Sequence, residues 1–152
     1  GYQVGCGFMV GSPGQTVDTL YEDLQFILAL QPHMVGIGPF IPQKDTPFGT
    51  EQAGTMDQTL RLLSIIRLLH PHVLLPATTA LGTIHPLGRE KGILAGANVV
   101  MPNLSPAAYR SSYAIYDNKA AMGTEAAEGL ALLKQELDKI GYRISTARGD
   151  FK

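Results

Sequence analysis

The sequence predicts an α/β fold built from parallel βα units. Three observations carry that prediction. The apolar runs are continuous rather than alternating, the pattern of strands covered on both faces. The segments between them repeat at helical period. Strand starts lie roughly 25–40 residues apart, which is βα-unit spacing.

The elements follow in order. "VGCGFMVG" (4–11) is the first strand, and "SPGQT" turns it into a helix capped by Thr16. Val17, Leu20, Tyr21, Leu24, Ile27 and Leu28 fall on one face of that helix, and Pro32 stops it. "MVGIGPFI" (34–41) is the second strand. Thr55 with Gln58 resembles a capping box ahead of "TLRLLSIIRLL". "VLLPATTA" (73–80) is the third strand, a short helix spans about 87–95 and closes at Gly96, and "NVVM" (98–101) is the fourth strand. Residues 102–123 break the rhythm with prolines and tyrosines. A last helix begins at Thr124 and ends at Lys139 before Gly141, with Leu130, Leu133, Leu137 and Ile140 as its buried stripe. The tail "STARGDFK" reads as loosely held. Residues 1–101 and the extension 102–152 read as one domain.

Composition narrows the function. The chain has 152 residues, 45% hydrophobic and only 16% charged, with a formal net charge of −1. Scattered lysines and arginines leave no basic footprint for nucleic acid. No apolar stretch reaches about 18 residues without a charge or a proline, so no membrane span is expected. The start shows no signal-peptide pattern, and a lone Cys6 suits a reducing, cytoplasmic setting. One cysteine also excludes any metal site of several thiolates within this sequence.

Two architectures fit: an open, flavodoxin-like sheet of four strands, or the second half of a βα barrel, strands five to eight. Both bind ligands beyond the carboxyl ends of the strands. The residues there are Ser12-Pro13-Gly14-Gln15, Pro39-Phe40-Ile41-Pro42, Thr78-Thr79 with Gly82 and Thr83, and Met101-Pro102-Asn103. Their glycines, prolines and hydroxyls suit a neutral ligand held by backbone amides. No Ser/His/Asp order suggests a hydrolase.

Each feature also has a plainer reading. "GFMVGSPGQT" is not a Walker loop, and Val10 stands where a dinucleotide fingerprint needs its third glycine. It is a tight turn, or a turn whose bare backbone approaches a ligand. Thr78 and Thr79 are ordinary strand residues or ligand hydroxyls. His70 and His72 suit a helix C-terminus, His33 the surface, and His85 the surface or a ligand. Cys6 is a small core residue. Tyr109, Tyr113 and Tyr116 share a helical face, either packing or offering a hydroxyl, with Tyr116 best placed to do so.

"GFMVGSPGQT", "GIGPFIPQKDTP", "PATTALGTIHPLGRE" and "GANVVMPNLSP" followed by "AYR", "Y" and "Y" occur in this order, each at the end of a predicted strand. Together they resemble the C-terminal half of radical S-adenosylmethionine maturases that help build the FeFe-hydrogenase cluster, a family grouped with biotin and methylornithine synthases. The resemblance covers roughly residues 2 to 120. It implies a complete βα barrel carrying a 4Fe–4S cluster and S-adenosylmethionine, of which this chain would supply the last four strands. It implies that the "GFMVG" segment, with Gly7 and Met9, lies against the nucleoside. It puts Met34 and Ile37, Gly38, Pro39 and Phe40 near the adenine. Thr78, Thr79, Met101, Pro102, Asn103 and Tyr116 match positions lining the substrate cavity.

The family's C-x3-C-x2-C cluster motif is absent, so the chain reads as part of a longer enzyme and inactive alone. The stretch "AMGTEAAEGLAL" has no cysteine either, so no accessory cluster is expected. The expected partners are a small sulfur- or iron-bearing substrate and other hydrogenase maturases. An isolated half-barrel, with exposed strand edges, is expected to pair with itself or aggregate.

Overall fold

The computed structural model of the chain describes residues 1–102, 106, 109, 126–145 and 147–151. It contains strand β1 (Gly5–Val10), helix α1 (Val17–Leu30), β2 (Met34–Pro39), α2 (Met56–Leu69), β3 (Pro76–Ala77), α3 (Thr79–Ile84), α4 (Gly88–Leu94), β4 (Val99–Val100) and α5 (Ala126–Lys139). β1 pairs in parallel with β2, and β3 with β4. A parallel bridge between Met34 and Leu74 joins the two pairs, with the Val35 amide donating to Leu74 and the Leu74 amide to His33, each at 2.9 Å. Among the described residues no helix is long and apolar enough to cross a membrane.

Local chemistry sets the helix ends. The Thr16 hydroxyl accepts from the Thr19 amide while the Thr19 hydroxyl accepts from Thr16, closing the first turn of α1 reciprocally. That helix stops at Gln31, which adopts the left-handed conformation at φ 51°, one residue before Pro32. Thr55 caps α2 through the Gln58 amide. Gly96, at φ 114°, follows α4.

The core lies between the β1–β2 pair and helices α1 and α2. Val10, Val35, Ile37, Leu63, Ile66 and Leu75 are at most 1% exposed there. Each such aliphatic side chain contributes about 1.5–3 kcal/mol by leaving water. A second cluster joins Ala77, Ile93 and Ala97 to Leu133 and Leu137 of α5.

Four expectations change. β1 is not covered on both faces: Cys6, Phe8 and Val10 turn inward, while Gly5, Gly7 and Met9 are exposed. The absence of side chains at Gly5 and Gly7 hides this alternation in the sequence. The third strand is only Pro76–Ala77, because Thr78 already serves as the N-cap residue of α3. Leu130 is 42% exposed and so stands outside the buried stripe of α5. His70 sits at the C-terminus of α2 as expected, but its side chain is buried rather than at the surface, with Nε2 3.1 Å from the Pro32 carbonyl. Thr124 lies outside the described residues.

Candidate functional site

Strand register puts Gly5 beside Met34, Gly7 beside Gly36, and Met9 beside Gly38. These pairs share one face of the sheet, the face turned away from α1 and α2. Toward the carboxyl ends this face opens into a cleft of about 730 Å³. Gly7, Phe8 and Met9 of β1 line it with Gly36, Ile37, Gly38 and Pro39 of β2, then Ile41, Thr78, Thr79 and Ala80. The cleft is within the usual size of small-molecule sites. Its lining includes no charged side chain among the described residues.

The glycines do different jobs. A Cβ on Gly7 would run into the Gly36 carbonyl, so Gly7 is required by strand packing. Gly11, at φ +79°, packs against the Gly54 Cα, 2.6 Å from where its own Cβ would stand. Gly38 makes room for Thr78, whose Oγ1 would lie 2.5 Å from an added Cβ. Only Gly36, of these four, has nothing within 4 Å of an added Cβ. Within the cleft the bare backbone open to a ligand is therefore Gly36 of β2; Gly14 in the turn after β1 is also open but does not line it.

Thr78 is the polar feature of the cleft. As N-cap of α3 its hydroxyl makes no cap hydrogen bond. Its Oγ1 is buried and without a partner. A buried hydroxyl left unpaired costs about 1–3 kcal/mol, and a ligand oxygen or nitrogen would remove that cost. Thr79 opens α3, where its carbonyl accepts from the Thr83 hydroxyl at 3.1 Å.

Sequence reasoning put Gln15 in the loop after β1 but missed its role. Its Oε1 accepts from the Gly11 amide at 2.6 Å, and its Nε2 donates to the Met9 carbonyl at 3.0 Å. The side-chain amide thus pairs with the end of β1 as a further strand residue would, holding the turn behind Met9. An amide four residues beyond Gly11 was the available signal.

Gly7, Met9, Ile37, Gly38, Pro39, Thr78 and Thr79 all come together, although the Ile37 side chain belongs to the core. Two expected cofactor contacts do not join them. Met34 starts β2, five residues from Pro39 and so about 16 Å away at strand rise, and faces a separate cleft with Leu74, Ile93 and Asn98. Phe40 is 6% exposed, and its ring packs edge-on against Phe48 at 6.4 Å. Met101 and Pro102 follow β4 directly after the Ala77–Val100 pair, beside Thr78 in register, but neither lines the cleft. Asn103 and Tyr116 lie outside the described residues, as does Tyr113, and Tyr109 is 66% exposed. The His85 ring accepts the Leu87 amide through Nδ1 and so serves its own loop. Cys6 packs on the core face of β1, and burial pushes its thiol above the ordinary range.

No family model matches the chain. It is 50% identical over 119 residues to the FeFe hydrogenase maturase subunit HydE of Thermotoga maritima, covering 78% of this chain and 34% of that protein. It is 31% identical over 117 residues to 3-methylornithine synthase of Methanosarcina barkeri, covering 77% and 33% respectively. It is 34% identical over 102 residues to biotin synthase of Corynebacterium jeikeium, covering 66% and 28%. The chain thus spans about a third of the length of the curated relatives it matches. One sequence aligning with all three, and with half its matched residues shared with the maturase, belongs to the HydE-like branch of the radical S-adenosylmethionine enzymes.

Proposed function

We propose that this chain forms strands five to eight of a βα barrel and walls the cofactor and substrate cavity of a hydrogenase-maturing radical enzyme. The observation that carries the reading is convergence. Seven residues marked on the sequence, Gly7, Met9, Ile37, Gly38, Pro39, Thr78 and Thr79, line one cleft at the carboxyl ends of β1, β2 and β3. In this reading residues 1–101 are the half-barrel and 102–152 its extension within the same domain.

Two further features favour a half-barrel over a free-standing four-stranded module. Within the described sheet β1 pairs only with β2, leaving its other edge open. α1 also turns apolar side chains outward, with Val17 81% and Tyr21 61% exposed. Strand edges and apolar helix flanks of this kind call for a neighbour. Isolated from that neighbour, the chain self-associates.

The cleft fits a nucleoside. Its lining is uncharged, the space above Gly36 is open, and an unpartnered hydroxyl waits at Thr78. Bound there, S-adenosylmethionine, with a 4Fe–4S cluster as electron source, would supply the hydrogen-abstracting chemistry of the family. The chain's single cysteine does not provide the three thiolates of the family's cluster motif, so those ligands come from elsewhere in the longer protein. This chain's own residues bind and orient. Gly36 admits the flat base against bare backbone, Thr78 donates or accepts one hydrogen bond, and Met9 and Ile41 keep water out. The resemblance, rather than the cleft, assigns Met101, Pro102, Asn103 and Tyr116 to a small sulfur- or iron-bearing substrate. The setting is cytoplasmic, with other hydrogenase maturases as partners.

Calorimetric binding of S-adenosylmethionine to the longer, cluster-loaded protein tests the reading. Gly36→Val is expected to weaken binding at least about tenfold, the scale of a blocked hydrophobic contact surface, with an unchanged circular dichroism spectrum. Unaltered affinity in a folded variant would overturn it.

A further inference from the structure

We propose that residues 147–151 form a proton-sensitive strap across the N-terminal ends of β1 and β2, at the end of the sheet opposite the cleft. The Phe151 ring sits edge-on to His33, with centroids 4.9 Å apart, and to His70, at 6.4 Å. On the same tail Asp150 accepts from Gln3 Nε2 at 3.3 Å and pairs with Arg148 at 3.2 Å. The strap therefore touches the lead-in to β1, the lead-in to β2 and the end of α2.

His33 is the junction of three strand starts. Its amide donates to the Val4 carbonyl at 2.8 Å, and its carbonyl accepts from the Leu74 amide at 2.9 Å. Its ring adds a third link, because Nδ1 accepts from the Val4 amide at 2.8 Å. An imidazole that accepts at Nδ1 is neutral, with its proton on Nε2. Protonation turns Nδ1 into a donor facing another donor. The Val4 link then breaks, and the ring leaves the position against which Phe151 packs.

His70 behaves differently. Its Nε2 faces the Pro32 carbonyl, which can only accept. His70 donates there in both its neutral and its charged form, so it anchors the strap at any pH while His33 releases it. The other titratable groups on the packed segments are Arg148 and Asp150 of the tail, Arg67 in the last turn of α2 and the exposed His72 ahead of β3, while Tyr142 and Arg143 share a cleft with Ala147 and Gly149 of the strap. Gln3 and Val4 carry no charge. The Arg148–Asp150 pair is exposed and contributes little.

Hydrogen–deuterium exchange of the full chain, read by mass spectrometry and corrected for intrinsic rates, tests this. Between pH 7.5 and pH 5.0, peptides covering 1–9 and 145–151 are expected to lose protection about five- to tenfold, the worth of one hydrogen bond. Peptides from α2 serve as the unchanged reference. His33→Asn, whose Oδ1 accepts in place of Nδ1 but does not titrate and offers Phe151 no ring, should hold the protection of 1–9 at both pH values and leave the tail without a pH response. Phe151→Ala, which leaves the rest of the fold untouched, should lose it in the tail at pH 7.5. A tail equally protected at both pH values overturns the proposal. So does an undiminished pH response in His33→Asn. If that variant does not fold, the wild-type pH comparison and Phe151→Ala decide alone.

Discussion

The two faces of the β1–β2 pair are made by alternate residues of the same strands, yet they obey different rules. One face, Cys6, Phe8 and Val10 with Val35, Ile37 and Pro39, is packed against the two long helices. The other, Gly5, Gly7 and Met9 with Met34, Gly36 and Gly38, is nearly bare. The packed face is specified by volume: a side chain is present and must fit. The bare face is specified by what is missing, and the missing atoms serve two purposes. At Gly7 they let two backbones approach each other; at Gly36 they leave space for something else.

That distinction can be broken experimentally. The largest effect is expected from Gly7→Ala, whose methyl meets the Gly36 carbonyl and must move a paired strand. A loss of at least about 3 kcal/mol in urea denaturation is expected. A change under about 1 kcal/mol would mean that the strands separate easily and that Gly7 is not a packing residue.

Next come two threonines. Thr59 is fully buried and its hydroxyl donates to the Thr55 carbonyl at 2.8 Å. Thr59→Val should cost about 1 kcal/mol. Thr78→Val removes a buried hydroxyl that has no partner and should stabilise by up to about 1 kcal/mol. Thermal denaturation of both variants reads opposite signs. The same sign for both would refute the view that Thr78 is held ready for a ligand at the expense of stability.

A smaller effect is expected at Gly36. Alanine there meets nothing, and by restricting the unfolded chain it should leave stability unchanged or raise it by up to about 1 kcal/mol. Thermal denaturation beside Gly7→Ala compares two glycines paired in register. Destabilisation comparable to that of Gly7→Ala would make the bare face a packing surface throughout.

The smallest concerns Cys6. Its thiol is held above the ordinary range by burial, so the folded state favours the neutral form. That contribution is complete below the ordinary thiol range and is lost as pH rises through the raised folded value. Alkylation by iodoacetamide near pH 8 should be slower than for an unstructured peptide thiol. An equal or faster rate would contradict its place on the packed face.

Much of the fold was legible because its signals are local. Thr16, Thr55, Pro32 and Gly96 punctuate helices through hydrogen bonds and backbone angles that a short window contains. The convergence of Gly7, Pro39 and Thr78 was also legible, because parallel strands place their carboxyl ends together. The sequence could not separate Gly7 from Gly36, since a glycine carries no mark of which neighbour it faces. Met34, which the resemblance puts near the adenine, stands at the far end of β2 from the cleft. The tail's ring contacts were not legible either, because a single aromatic among polar residues gives no periodicity. Phe151 finds His33 and His70 only through the long-range path of the chain.

The contact between Gly11 and Gly54 has a consequence for how selectivity could change. The Phe40 amide donates to Val10, the Gly54 amide donates to Phe40, and the Gly54 backbone rests on Gly11. The residues that follow the first two strands are thereby buttoned into one rim. Insertions between residues 43 and 53 can lengthen or reshape this border without moving the floor, because both fastenings lie outside that interval. Variation in guest molecule can therefore be written into one short stretch of chain while the ground beneath it stays constant.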